Sequence, residues 1–350
     1  GAAPELDNPP YFGFDIARDL LFDSDKHVML AVQALRRIGD PRARGVARAF
    51  LETAPADSDR AAALRLLADH IDGDGTREER ELVRDAIDER DIFVRLAGLE
   101  AAARSGDPAL VLEVIDRAEE DGLDGIETVA EGLAKAHLAE GEAVAERVFA
   151  LLQKVRLEMR HSRGPAWTMS AAYLMRALKH AAPAAWARTP EVVDTALGAL
   201  RDRSQSRPIA VTAIELLMGL LPDEGLPGQS RWHRDDIKLL VRAVNEHGDD
   251  LLARALELIA RAASPKEHDM GRWLERALER VDDRGARLAL VRAIREVRPK
   301  NADVLLGRLV DSGEPDVKDA AEAALRRVRN DRGVINVDFR RVSSSTQESD

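Results

Sequence analysis

Asp91-Ile92-Phe93-Val94-Arg95 opens a stretch that runs to Gly106-Asp107-Pro108, and its punctuation decides the fold. The aspartate suits the start of a helix, where its carboxylate can accept from free backbone N–H groups. Alanine and branched aliphatics then recur on one helical face, and Gly-Asp-Pro stops the helix and starts another. Two further stretches are built the same way: Asp25-Lys26-His27-Val28 through Gly39-Asp40-Pro41, and Asp316-Val317-Lys318-Asp319-Ala320-Ala321 through Leu325. A unit of this size cannot bury its apolar face alone, so its recurrence predicts a stacked helical array.

The same reading extends along the whole chain. Second helices of successive pairs are expected near 25–38, 58–71, 91–104, 126–139, 166–181, 207–220, 249–262, 284–297 and 315–329. Their partners precede them near 13–22, 41–53, 77–89, 108–120, 142–160, 190–202, 234–247, 266–281 and 301–310. Pro41, Pro108, Pro190, Pro265 and Pro315 mark helix starts. Thr76 with Glu79 makes a complete capping box, and Thr189 with Val192 an incomplete one. Gly39, Gly106, Gly248 and Gly313 fall where a helix must stop and reverse. Wider loops at 161–165 and 221–229 interrupt the array. The expected organisation is an α-solenoid over residues 1–330 and a tail over 331–350. In that tail Gly333 to Phe339 alternates like a short strand, and Ser343 to Asp350 is polar and disordered in character. Val334, Val337 and Phe339 are expected to fold back over the last layer, with strand addition to a partner as the alternative.

The blocks Asp91–Ala103 and Asp316–Val328 resemble the second helix of HEAT repeats, in the bacterial HEAT-like form related to phycobilisome-lyase repeats. The residues that carry the likeness are the opening aspartate, Val94-Arg95 or Val317-Lys318, then Ala97 or Ala320-Ala321, and Leu99 or Leu325. At Met29 the basic position is apolar. The tryptophan–leucine–glycine–tyrosine signature of tetratricopeptide arrays is missing. The resemblance implies an all-α, right-handed α-α superhelix (a HEAT/armadillo-type solenoid) of about nine helix pairs. It also implies that Asp91 with Arg95, and Asp316 with Lys318, link layers and are structural rather than catalytic. Such arrays mostly serve as scaffolds and peptide-binding surfaces, and a few are enzymes, among them alkyl-base DNA glycosylases. Fold alone therefore does not fix function.

Composition narrows the classes. Only 4% of residues are aromatic and 33% are charged, which suits thin layers of closely packed helices better than a thick globular core. The chain has no cysteine, which excludes disulfides, thiolate metal sites and cysteine nucleophiles. A formal net charge of −11 argues against a general nucleic-acid binder. No apolar run approaches the roughly 20 residues that a spanning helix needs, so the expected location is cytoplasmic. Residue 1 is glycine rather than methionine, so the native start is expected upstream, and a leader or anchor there stays open.

The charge is unevenly spread: −15 over residues 1–150, +6 over 151–210 and −2 over 211–350. The basic segment contains Lys154, Arg156, Arg160, Arg163, Arg176, Lys179 and Arg188, opposed over 151–190 only by Glu158. At about 100° per residue, Trp167, Ala171, Leu174, Leu178 and Ala181 share one helix face, and Met169, Tyr173, Arg176, Lys179 and His180 the other. Second helices of HEAT-like stacks line the concave surface, so that polar face is expected to point into the groove. Arg160, Arg163, Tyr173, Arg176, Lys179 and His180 are the candidate partner-binding residues, suited to a carboxylate, phosphate or acidic peptide. A competing reading pairs these cations with the acidic belt at 113–146, within one molecule or between two copies. A glycosylase-like site would need an aspartate beside groove-facing tryptophans in a basic cradle. Residues 151–190 hold no aspartate, and Asp194 with Trp186 is the nearest candidate.

Other motifs read as structural. Asp72-Gly73-Asp74-Gly75-Thr76 is like a calcium loop, but His70 stands at the first ligand position, where a carboxylate is required, and Arg77 takes the usual apolar position. A turn leading into the Thr76–Glu79 cap accounts for it. The eight histidines form no His-x-x-x-His pair, and no nucleophile elbow, phosphate loop or dinucleotide fingerprint is present. No cofactor or metal and no enzymatic activity are expected. The expected function is that of a non-catalytic scaffold or adaptor that binds a protein partner around helix pairs four to six. Self-assembly is the structural alternative and a glycosylase-like nucleic-acid enzyme the catalytic one.

Overall fold

The structure, a computed structural model, describes residues 10–23, 27–54, 56–70, 75–136, 138, 141–161, 164–182, 190–201, 206–221, 234–263, 270–311 and 314–331. The chain forms two compact units, Gly1–Leu220 and Leu221–Asp350. Unit 1 holds six helix pairs. The first three are α1 (Pro10–Asp23) with α2 (Val28–Ile38), α3 (Ala43–Thr53) with α4 (Asp57–Ala68), and α5 (Arg77–Ile87) with α6 (Ile92–Arg104). The next three are α7 (Pro108–Glu120) with α8 (Gly122–Lys135), α9 (Glu142–His161) with α10 (Pro165–Ala181), and α11 (Pro190–Arg201) with α12 (Arg207–Leu220). Unit 2 holds α13 (Arg234–His247) with α14 (Leu252–Ala262), α15 (Gly271–Arg280) with α16 (Arg284–Val297), and α17 (Ala302–Val310) with α18 (Pro315–Asp331).

Each pair packs as a hairpin, and within each unit the pairs stack in order. The second helices contact one another in sequence, α2 to α4 to α6 to α8 to α10 to α12 in unit 1 and α14 to α16 to α18 in unit 2. First helices form the other layer, as α5 to α7 to α9 and α15 to α17 show. The fold is all-α, built of repeated helix pairs. Among the described residues, no helix is long and apolar enough to cross a membrane.

The third pair shows why this sequence folds so. Asp91 caps α6, its carboxylate accepting from the N–H groups of Phe93 at 2.9 Å and Val94 at 3.0 Å. Val94, Ala97, Leu99, Ala101, Ala102 and Ala103 are then fully buried. Val94 and Ala97 join Ala61 and Leu64 of α4 and Ala86 of α5 in one core cluster, with Leu51 packed on it. Gly106 at φ 66° turns the chain, and Asp107 caps α7 ahead of Pro108. The helices approach so closely that a Cβ on Gly98 would lie 2.9 Å from the backbone of Ala86. One on Gly132 of α8 would lie 2.7 Å from the Ala103 Cβ. Alanine-rich, aromatic-poor layers follow from that spacing.

Thr76 and Glu79 form the full capping box on α5, and Asp283 caps α16. Gly39, Gly106 and Gly248 take positive φ at helix stops. Helix α8 begins four residues before the expected 126, because Gly122 at φ 71° lets the chain reverse beside Asp121. Pro41 sits in the turn ahead of α3. Pro265, Thr189, Gly313, residues 222–229, the Asp72–Asp74 segment and the tail beyond 331 lie outside the described residues.

Candidate functional site

Helix α10 starts at Pro165 in the first helical position and buries Ser170, Ala171, Leu174, Ala177, Leu178 and Ala181 between α8, α9 and α12. Burial of that face turns Met169, Tyr173, Arg176 and His180 outward at helical spacing, Arg176 and His180 exposed and the other two half-buried. Trp167 is half-buried near the helix start.

Lys179 lies at the edge of this face against α12. A Cβ on Gly219 would stand 2.9 Å from the Lys179 Cγ, so the lysine stem runs over a glycine. Gly219 was not among the residues singled out from sequence, although a glycine inside an apolar helix is a sign of close approach. Arg156 of α9 does the same in the other layer, its Nη2 3.0 Å from where a Gly198 Cβ would sit in α11.

The basic segment is therefore divided. Lys154 pairs with Glu119 of α7 at 2.9 Å, and Arg147 pairs with Asp116. Much of the acidic belt is matched within unit 1: Glu113 with Arg84 at 3.1 Å, Asp121 with Arg95 at 3.0 Å, and Glu131 with Lys135 at 2.5 Å. Arg176 has no ion-pair partner among the described residues. Arg160 is exposed in the last turn of α9, next to the start of α10. Arg176 lies 11 residues into α10 from Pro165, about 16 Å along the axis. The structure thus groups Tyr173, Arg176, Lys179 and His180 and sets Arg160 apart, while Arg163 lies outside the described residues. Asp194 is on α11, in the first-helix layer, and Trp186 is also outside them.

Nearer the start of unit 1, the second-helix layer is clipped together by charge. Asp69, after α4, receives Arg36 of α2 and Arg104 of α6, and Arg65 of α4 stands 3.6 Å from Glu100 of α6. Burial alone would raise the Asp69 carboxyl, but Arg36 and Arg104 outweigh it and hold it below its ordinary value. Adjacent His70 is half-buried, and burial first, then Arg104, lowers its pKa. Asp69 and its two arginines are bound to each other and tie neighbouring helix pairs together. Among the described residues, no group of three or more His, Cys, Asp or Glu side chains could hold a metal ion.

The cross-layer role that the resemblance gives to Asp91 with Arg95 is split between two partners. Asp91 caps its own helix, and Arg95 carries the link to Asp121 of the next pair while also donating to the Glu89 carbonyl of its own hairpin at 2.9 Å. In the last pair it is Asp316 that links layers, to Arg284 of α16, while Lys318 is exposed.

No protein-family model matches the chain, and no curated protein matches its sequence. Solved structures do match, among them the karyopherin Kap121p in its crystal structure bound to the SUMO protease Ulp1p. That similarity has a TM-score of 0.49 at 14% identity, covers 91% of this chain, and spans 37% of the karyopherin chain.

Proposed function

We propose that this chain is a non-catalytic scaffold or adaptor that holds an acidic or phosphate-bearing segment of a partner protein on α10 and its neighbours in helix pairs four to six. One observation carries the reading. Tyr173, Arg176 and His180 lie at i, i+3 and i+7 on one outward face, and Arg176 keeps its guanidinium unpaired among the described residues. A planar, permanently charged fork beside a half-buried phenol suits bidentate capture of a carboxylate or phosphate. The Lys179 stem over Gly219 adds a second cation at the edge of that face. In HEAT-like arrays the second helices line the groove, which is the layer α10 occupies.

The test compares wild type with Arg176→Glu/Lys179→Glu as bait in a native extract. The reading expects one or more proteins retained by wild type and lost from the double variant, whose thermal midpoint stays unchanged. Equal retention by both would remove α10 from the function.

A second reading has its own observation. Glu127 and Glu131 of α8 are half-exposed on the helix next to the basic strip of α10. A patch with an acidic row beside a basic row is self-complementary across a two-fold axis. Oligomers that dissociate as salt rises would favour this self-assembly over adaptor work.

A further inference from the structure

The free face of the second-helix layer changes chemistry from one helix to the next. Helix α8 packs between α6 and α10, and each of the three rests on its own first helix. Gly98 of α6 and Gly125 of α8 mark the inner side, where a Cβ would meet Ala86 of α5 at 2.9 Å and Ala118 of α7 at 2.8 Å. At about 100° per residue, the opposite side carries Phe93 and Leu96 on α6, Asp124 and Glu127 on α8, and Tyr173 and Arg176 on α10. With first helices behind and second helices alongside, the three faces look out in the same direction.

Most other charges of this layer are spent on each other. Toward the start of unit 1, Arg36 and Arg104 hold Asp69, and Arg65 faces Glu100. On α8 itself, Glu131 is held by Lys135. Asp124 is exposed and Glu127 half-buried, and neither has an ion-pair partner among the described residues. Asp124 lies in the first turn of α8, where a carboxylate suits the helix N-terminus. Glu127, nearly a turn further on, has no such use. Phe93 is 63% exposed at the start of α6, with Leu96 half-buried beside it. An exposed ring next to unneutralised carboxylates fits a partner that is cationic and apolar in turn.

We propose that the partner segment crosses these three helices in extended form and carries three side chains in a fixed order. They are an acidic or phosphorylated residue over α10, a lysine or arginine over α8, and a large apolar residue over α6. This order, which rests on the α10 reading above, completes the chemistry of the segment. Packed helices lie about 8–10 Å apart. A polyproline-II chain rises about 3.1 Å per residue with three residues per turn, so every third side chain returns to one face after about 9 Å. The two spacings match, and the motif is therefore acidic, basic and apolar at every third position. Charge alone admits many segments, whereas the order of the three stripes selects among them.

Fluorescence anisotropy of short labelled peptides on the full chain tests this. One peptide carries glutamate alone among serines and glycines. A second carries glutamate, lysine and leucine in that order at every third position. A third has the same residues with leucine moved between glutamate and lysine. The ordered peptide is expected to bind about tenfold tighter than either of the others. That advantage should vanish in Phe93→Ser and in Asp124→Asn/Glu127→Gln, with thermal midpoints unchanged, because these side chains project from the layer. Arg176→Glu/Lys179→Glu should abolish binding of all three. Binding that is lost in that double variant, yet equal for ordered and shuffled peptides, overturns the order and spares the α10 reading. Binding that ignores Arg176 and Lys179, or no binding by any peptide, overturns both.

Discussion

Arg44 and Glu79 stand 35 residues apart and meet in a two-pronged, part-buried ion pair, Nε to Oε1 at 2.8 Å and Nη2 to Oε2 at 2.6 Å. The same carboxylate accepts from the Thr76 N–H at 2.7 Å, so one side chain closes a capping box and ties α3 to α5. The Arg44 bonds lead in lowering its pKa from 4.5 to about 2. The folded state therefore binds this proton less readily than the unfolded state. Its stabilisation is complete above the unfolded value and drains as pH falls through the folded one. Denaturant midpoints should drop between about pH 5 and pH 2, and Glu79→Gln should flatten that slope while costing on the order of 2–3 kcal/mol at neutral pH.

Asp69 is shared by two guanidiniums from different helix pairs, so its removal strands both. Asp69→Asn is expected to cost about 2 kcal/mol. A double-mutant cycle with Arg104→Ala should show strong non-additivity, because both changes break the same tie. Additive losses in urea melts would mean that the tie contributes little.

Two glycines in helices should respond oppositely to alanine. At Gly98 the new methyl would meet the Ala86 and Ile87 backbone at 2.9 Å, and backbone cannot step aside. A loss of about 1–3 kcal/mol is expected. At Gly307 of α17 nothing lies within 4 Å, so Gly307→Ala should gain up to about 1 kcal/mol from helix propensity. Thermal midpoints that move the same way for both would contradict the packing described.

Arg95 and Lys318 occupy the same place in the repeat but differ in contacts. Arg95→Ala loses Asp121 and the Glu89 carbonyl and should cost about 1–2 kcal/mol. Lys318→Ala, at an exposed position, should stay within about 0.5 kcal/mol. Chemical denaturation of the two single variants makes the comparison.

Helix identity was legible because it rests on local signals. Asp91, Asp107 and the Thr76–Glu79 pair act as caps within three residues of themselves, and Gly39 and Gly106 turn the chain with their own φ. The start of α8 was misplaced because periodicity weighs side chains, whereas Gly122 acts through its backbone. The α10 face was legible for the same local reason, since burial of Ala171, Leu174 and Leu178 leaves only one direction for Arg176. The fates of Lys154 and Arg156 were not. They depend on Glu119 and Gly198, which stacking brings within reach from the neighbouring helix pairs, and no residue near them in sequence announces it.

Most of the ties between neighbouring hairpins reach only a short way along the chain: Arg44 to Glu79 and Arg104 to Asp69 each cover 35 residues, and Arg95 to Asp121 covers 26. A growing polypeptide can therefore complete each tie within unit 1 soon after the following segment leaves the ribosome, without waiting for its distant end. Maturation of that unit can run from the amino terminus onward, rung by rung, during translation.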